Sequence, residues 1–228
     1  MPKKLLIIRI QELVVTSNGD FPGEKPSHND ELGLKNNALI ASLKYPRSGA
    51  PQVLSVKQYD LVDGKPAYLL DEKIPDEFFD KLLFHEEVLD QTLLQVKVTN
   101  FDSTGKVVKF FLKLFSVILG AGFTAASGGL SGVLGAVVGF GVDALKTGTS
   151  GAGDDHVDTI GIARLPLSMD AYSDKPQVVN LELTAPETIT RRGFVMDPEH
   201  GVQEKEKTVT TEGKANGHII MEISAVSV

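Results

Sequence analysis

Cysteine is absent from the 228 residues, which excludes disulfides, thiolate metal sites and a thiol nucleophile. Basic residues are in deficit. The 23 Lys and Arg face 30 Asp and Glu, a formal charge of −7. General affinity for nucleic acid is therefore excluded, because it needs a surplus of cations on one face. None of the five His has another at metal-ligand spacing. His85, in "FHEEV", reads as an exposed polar residue beside a strand. The nucleophile elbow G-x-S-x-G, the phosphate loop G-x-x-x-x-G-K-[ST] and any repeat of fixed period are also missing. "GAGFTA" (residues 120–125) fits the dinucleotide fingerprint but lacks a βαβ context in a parallel sheet, so no enzyme is expected. The start, "MPKKLLIIRIQELVV", reads as a first strand and not a signal peptide, since Arg9 and Glu12 interrupt it and no small-residue cleavage site follows.

One absence is local. Residues 114–142, "LFSVILGAGFTAASGGLSGVLGAVVGFGV", run for 29 residues without a charge. Their surroundings are basic: residues 106–147 hold Lys106, Lys109, Lys113 and Lys146 against Asp143, a balance of +3 that leaves −10 for the remainder.

On both sides of this segment the chain alternates with period two. "LLQVKVT" sets Leu94, Val96 and Val98 against Gln95 and Lys97, "VVNLELT" sets out Val179, Leu181 and Leu183, and "HIIMEIS" sets out Ile219, Met221 and Ile223. Further strands are expected at 4–15, 37–44, 52–58, 66–71 and 157–164. Turn clusters such as "SNGDFPGEKPSHND", "PRSGAP" and "VDGKP" separate them. The charged stretch "EKEKTVTTEGKANG" reads as a solvated hairpin, and the adjacent Arg191 and Arg192 as solvated loop residues. The fold class is mainly β: an eight-stranded antiparallel β-sandwich over 1–102 and 154–228, with an inserted α-helical hairpin over 103–153.

Several of these strands resemble those of the C-two domain, the calcium-and-lipid-binding β-sandwich first described in protein kinase C. "NNALIASL" (36–43) stands for the family's "DPYVKVSL". "DEFFDKLLF" precedes "LLQVKVTNFD" (93–102), which follows the pattern L-x-V-x-V-x-D-x-D. "TIGIARLPL" (159–167) and "GHIIMEI" (217–223) match the two later strands. The resemblance puts the apolar segment inside the third loop, the one whose tip meets the bilayer. It also implies a calcium site between the first and third loops, with Asp20, Asp30, Asn100, Asp102 and Asp158 as the candidate oxygen ligands, joined by Asp154 and Asp155. The chain departs from the family in having Asn36 in place of an Asp and Asn100 before Asp102. The cofactor is accordingly none, or calcium.

Within the insertion, Val107, Phe110, Phe111, Leu114 and Ile118 recur at helical spacing, opposite a stripe of Lys106, Lys109, Lys113 and Ser116. A basic stripe beside a Phe-rich face suits an anionic membrane interface. Lys106, Lys109 and Lys113 would meet lipid phosphates, and Phe110, Phe111, Leu114, Phe115 and Phe123 would enter the acyl boundary. Farther on, Gly128, Gly132, Gly135 and Gly139 fall along one helix face, where small residues let helices approach. "AASGG" (125–129) divides the run into two arms, and both flanks must return to one sandwich, so a hairpin is expected. The function expected is non-enzymatic: lipid attachment, hairpin insertion and homo-oligomer formation of a pore-forming or membrane-remodelling kind, with no nucleic-acid partner. Its place is cytoplasmic or at the membrane periphery, with export by a non-classical route as a further option. The alternative is a soluble assembly subunit whose apolar hairpin makes subunit contacts.

Overall fold

The run "KLLIIRIQELVV" changes phase in its middle, and the chain accommodates this with a bulge. In β1 (Lys4–Val15) Leu6, Ile8 and Ile10 are buried, and beyond the bulge between Ile10 and Glu12 it is Leu13 and Val15 that are buried. Without the extra residue, Glu12 would take the inward place of Leu13. The computed structural model describes residues 3–19, 37–44, 52–59, 61–67, 81–88, 91–100, 136–138, 158–197 and 199–228.

The strands that follow are β2 (Asn37–Lys44), β3 (Gln52–Tyr59), β4 (Leu82–Val88), β5 (Gln91–Asn100), β6 (Ala136–Val138), β7 (Asp158–Ser168), β8 (Gln177–Thr184), β9 (Ile189–Asp197), β10 (Gly201–Thr210) and β11 (Ala215–Ser227). Nine of them form one antiparallel sheet in the order β4-β1-β11-β8-β7-β5-β2-β3-β6, and β9 and β10 form a separate two-stranded ribbon. The β7–β8 junction is a single bridge, Ile162 to Thr184, and the sheet folds there into two facing layers, β4-β1-β11-β8 and β7-β5-β2-β3. At the far side β3 and β4 approach each other, so the sheet is nearly closed.

The core lies between the layers. Leu6, Ile8, Phe84, Ile219, Met221 and Ile223 from one layer face Leu39, Leu43, Leu94, Val96, Val98 and Ile160 from the other. Each such side chain contributes about 1.5–3 kcal/mol on burial. Glycine is required at one crossing. Gly217 has φ 127°, and a Cβ there would lie 2.0 Å from the Val14 carbonyl oxygen on the paired strand.

The mainly β, sandwich-like fold agrees with the sequence reading, with several corrections. Gln95 and Lys97, expected on a solvent face, are only 5% and 8% exposed, because both faces of β5, like those of β2, are covered. No strand is formed at 66–67. Pro66 makes an isolated bridge to Val14 and has no N–H with which to continue a ladder. "EKEKTVT" lies in β10 and is mostly exposed, but it pairs with β9, and the turn at 211–214 leads into β11.

Within the insertion, Ala136–Val138 is extended and pairs with Gln52–Leu54 of β3, so a helical arm does not run through these three residues. The hairpin expectation otherwise lies outside the described residues. Apart from strands, the described residues include a 3-10 turn, Met169–Ala171, and a helical Lys81 just ahead of β4.

Candidate functional site

The insertion leaves the sandwich after β5 and returns in β7, and its two roots are neighbours. Asn100 and Asp158 are register partners, and the row continues through Asn37 of β2 to Tyr59 of β3. One end of one layer therefore carries both roots of the insertion, while Ala136–Val138 pairs with β3 toward its other end, at Gln52–Leu54.

That end is held by asparagine side chains. Asn18, Asn37, Asn100 and Asn216 are 1–4% exposed, and their amides bond within the protein, except that Asn37 Nδ2 has no hydrogen-bond partner among the described residues. Asn100 Nδ2 donates to the Asn18 carbonyl, and Asn18 Nδ2 donates to the Leu61 carbonyl. Leu61 N–H donates to Asn37 Oδ1 at 3.4 Å. Asn216 makes the densest set: its Oδ1 accepts from Ser17 N–H at 3.0 Å, and its Nδ2 donates to the Ser17 and Ile160 carbonyls, each at 2.9 Å. The first strand, the turn after β3, the roots of the insertion and the last strand are thereby tied together.

Charge completes the arrangement from the ribbon. Arg191 of β9 donates through Nε and Nη2 to Asp158 Oδ2, the Nε contact at 3.1 Å, with side chains 19% and 13% exposed. Lys207, opposite Arg191 on β10, pairs at 3.0 Å with Asp63, whose Oδ1 also accepts from Asn18 N–H at 2.7 Å. Two ribbon cations thus meet two carboxylates of the sandwich end. Both contacts are charge-assisted and one uses the guanidinium fork, which fixes direction as well as distance.

The ribbon tip is a separate device. Asp197 accepts from the Glu199 and His200 backbone N–H groups at 2.9 and 3.0 Å, and these bonds, with a contact to the His200 ring, hold its carboxyl below the usual range. Away from this end, burial pushes the pKa of the Glu86 carboxyl up despite the opposing charge of His85, and burial does the same to the Tyr172 phenol. His85 is exposed, as expected, but stands within β4 and not beside a strand.

Of the candidate site residues, Asn100 and Asp158 are brought together. Asp20, Asp30, Asp102, Lys106, Lys109, Lys113, Phe110, Phe111, Leu114, Phe115, Phe123, Gly128, Gly132, Gly135 and Gly139, like Asp154 and Asp155, lie outside the described residues. Asp158 is already paired with Arg191, and the Asn100 amide donates through Nδ2 to the clamp. Sequence reasoning missed Arg191, Asn18 and Asn216. Arg191 was expected to be solvated, whereas only Arg192 is, at 73% side-chain exposure beside Glu206. Among the described residues no helix is long and apolar enough to cross a membrane. Compared with protein-family models and with curated proteins, the sequence matches none.

Proposed function

We propose that this protein attaches to lipid at the end of its sandwich where the apolar segment is rooted, and that it then self-associates through the Gly128, Gly132, Gly135 and Gly139 stripe. The observation carrying this reading is the Asn100–Asp158 pairing. An insertion that leaves and returns through neighbouring strands can send uncharged residues into a bilayer as a hairpin while both strands stay on one side. The flanking Lys106, Lys109 and Lys113 would meet anionic headgroups. The clamp of Asn18, Asn100, Asn216 and Arg191 gives that hairpin a stiff base. Because Arg191 neutralises Asp158, attachment is proposed to need no calcium.

The test is vesicle co-sedimentation, with and without phosphatidylserine and calcium, comparing the intact chain with one whose residues 106–147 are a short Gly-Ser linker. The reading expects only the intact chain to pellet, with anionic lipid and irrespective of calcium. Failure of both to pellet would sink it.

A second reading, a soluble assembly subunit, is favoured by the pairing of Ala136–Val138 with β3, since it lays part of the apolar run along the protein's own sheet edge. Detergent dependence separates the two. An assembly subunit forms a defined oligomer in water, whereas a membrane hairpin aggregates without detergent.

A further inference from the structure

We propose that the β9–β10 ribbon is a second self-association surface, in which the outer edge of β9 pairs antiparallel with β9 of another copy about a twofold axis at Phe194. Among the described residues neither edge of this ribbon continues into another strand. A two-stranded ribbon on its own is marginally stable, and pairing two of them makes a four-stranded sheet. Its outward face carries Phe194, 72% exposed, and Val202, 62% exposed. A large aromatic so exposed on a protruding strand is costly to leave in water.

Register decides which edge can pair. A strand pairing with its own copy about a twofold axis keeps each sheet face continuous, so opposed residues i and j must face the same way and i + j is even. For β10 this rule penalises the two registers with the longest overlap. Centring on Lys205 sets that residue against itself and Glu204 against Glu206 of the second copy, and centring on Glu206 sets Lys205 against Lys207. Like charges directly opposite each other are destabilising, so the alternating "EKEK" disfavours the self-pairings of this edge that overlap most fully.

β9 behaves differently. Centring on Phe194 places the two Phe194 rings together, Gly193 against Val195, Arg192 against Met196 and Arg191 against Asp197, with no like-charge contact and one of opposite sign. The rings share the outward face, where aromatic cross-strand pairs are favourable. This surface is independent of the Gly stripe and of lipid.

The absence of cysteine makes the test clean. Phe194→Cys puts the only thiol on the proposed axis, where Cβ atoms of opposed residues are about 4.5–5.5 Å apart, near disulfide reach. Val202→Cys, on the same face of β10, would be separated from its copy by three strand spacings across and four residues along the strands, about 20 Å. Under mild oxidation the full-length Phe194→Cys chain should give a reducible dimer at least about tenfold faster than Val202→Cys. Combining it with Gly132→Leu and Gly135→Leu should leave that rate unchanged, and Phe194→Lys should lower the mass in sedimentation equilibrium. Equal crosslinking rates for the two thiols would overturn the proposal. So would a Phe194→Cys thiol that stays monomeric and is shielded from a water-soluble maleimide only when phosphatidylserine vesicles are added, which would assign the ribbon to lipid.

Discussion

Arg191 reaches from the ribbon to Asp158, the residue with which β7 resumes after the apolar insertion, and clasps its Oδ2 with Nε and Nη2. The contact ties the β9–β10 ribbon, the one strand pair outside the main sheet among the described residues, to the root of the insertion. Its side chains are mostly shielded from water, so each charge depends on the other.

Removing one partner should expose that dependence. Arg191→Ala is expected to lower the unfolding free energy by about 1.5–3 kcal/mol, and Arg191→Lys to recover less than half of the loss because a single ammonium cannot reproduce the fork. Urea unfolding of both variants, with Asp158→Asn completing a double-mutant cycle, measures the coupling. Additive effects would show that the pair is energetically idle.

Asn216 tests the asparagine clamp. Its Oδ1 accepts one hydrogen bond and its Nδ2 donates two, so Asn216→Ala should cost roughly 2–4 kcal/mol. Asn216→Asp should fare no better, since a carboxylate can accept from Ser17 N–H but repels the Ser17 and Ile160 carbonyls. Rescue by Asp in thermal unfolding would contradict the assigned donor roles.

Two glycines with positive φ should respond differently to the same methyl group. At Gly217 the added Cβ meets Val14 O at 2.0 Å, so Gly217→Ala must break the β1–β11 pairing locally and cost more than about 3 kcal/mol. At Gly213, with φ 72° and open space around it, Gly213→Ala should cost only about 1 kcal/mol of backbone strain. Equal losses would mean that close approach is not what fixes Gly217.

The carboxyl of Glu86 predicts a pH effect. Its folded pKa is raised above the ordinary carboxyl value by burial, so between these two values the folded state holds more protons than the unfolded state. Stability should therefore fall as pH rises through this window. Glu86→Gln should remove that fall and be the more stable protein at neutral pH. Asp197 has the opposite sign. Its lowered value means that its contribution is present above 3.8 and is lost as pH falls through the folded value, an effect confined to the ribbon tip. Unfolding midpoints of wild type and Glu86→Gln from pH 4 to 8 check the first effect.

The Gly stripe yields a prediction that spares the fold. Gly132→Leu with Gly135→Leu should block assembly without altering the far-ultraviolet spectrum of the sandwich. An unchanged mass by light scattering would remove the stripe from the mechanism.

Much of the β architecture was legible because period-two alternation is local. β5, β8 and β11 follow from it, and β1, β2, β3 and β7 stand where strands were expected, to within a few residues. β4 did not. Its Leu82, Leu83 and Phe84 are buried in succession, an apolar run with no alternation, and a register shift against β1 lies at this point. β9 was read as part of a loop because its Arg pair hides a strand that is half exposed. Lys97 looked like a solvent-facing residue, and no local pattern records that a second surface covers it.

The clamp is a different case. Ser17 and Asn216 are separated by 199 positions, and an asparagine carries no sign of which distant carbonyl it will meet. What the sequence alone determined is what depends on near neighbours: the strands, the turns, the charge-free insertion and the missing chemistries. Only the tertiary structure decided that Asn100 stands beside Asp158, that Arg191 closes on this carboxylate, and that one end of the sandwich is locked by buried amides. Those pairings are set by sheet order and register, and these are fixed when the two layers close over a shared core.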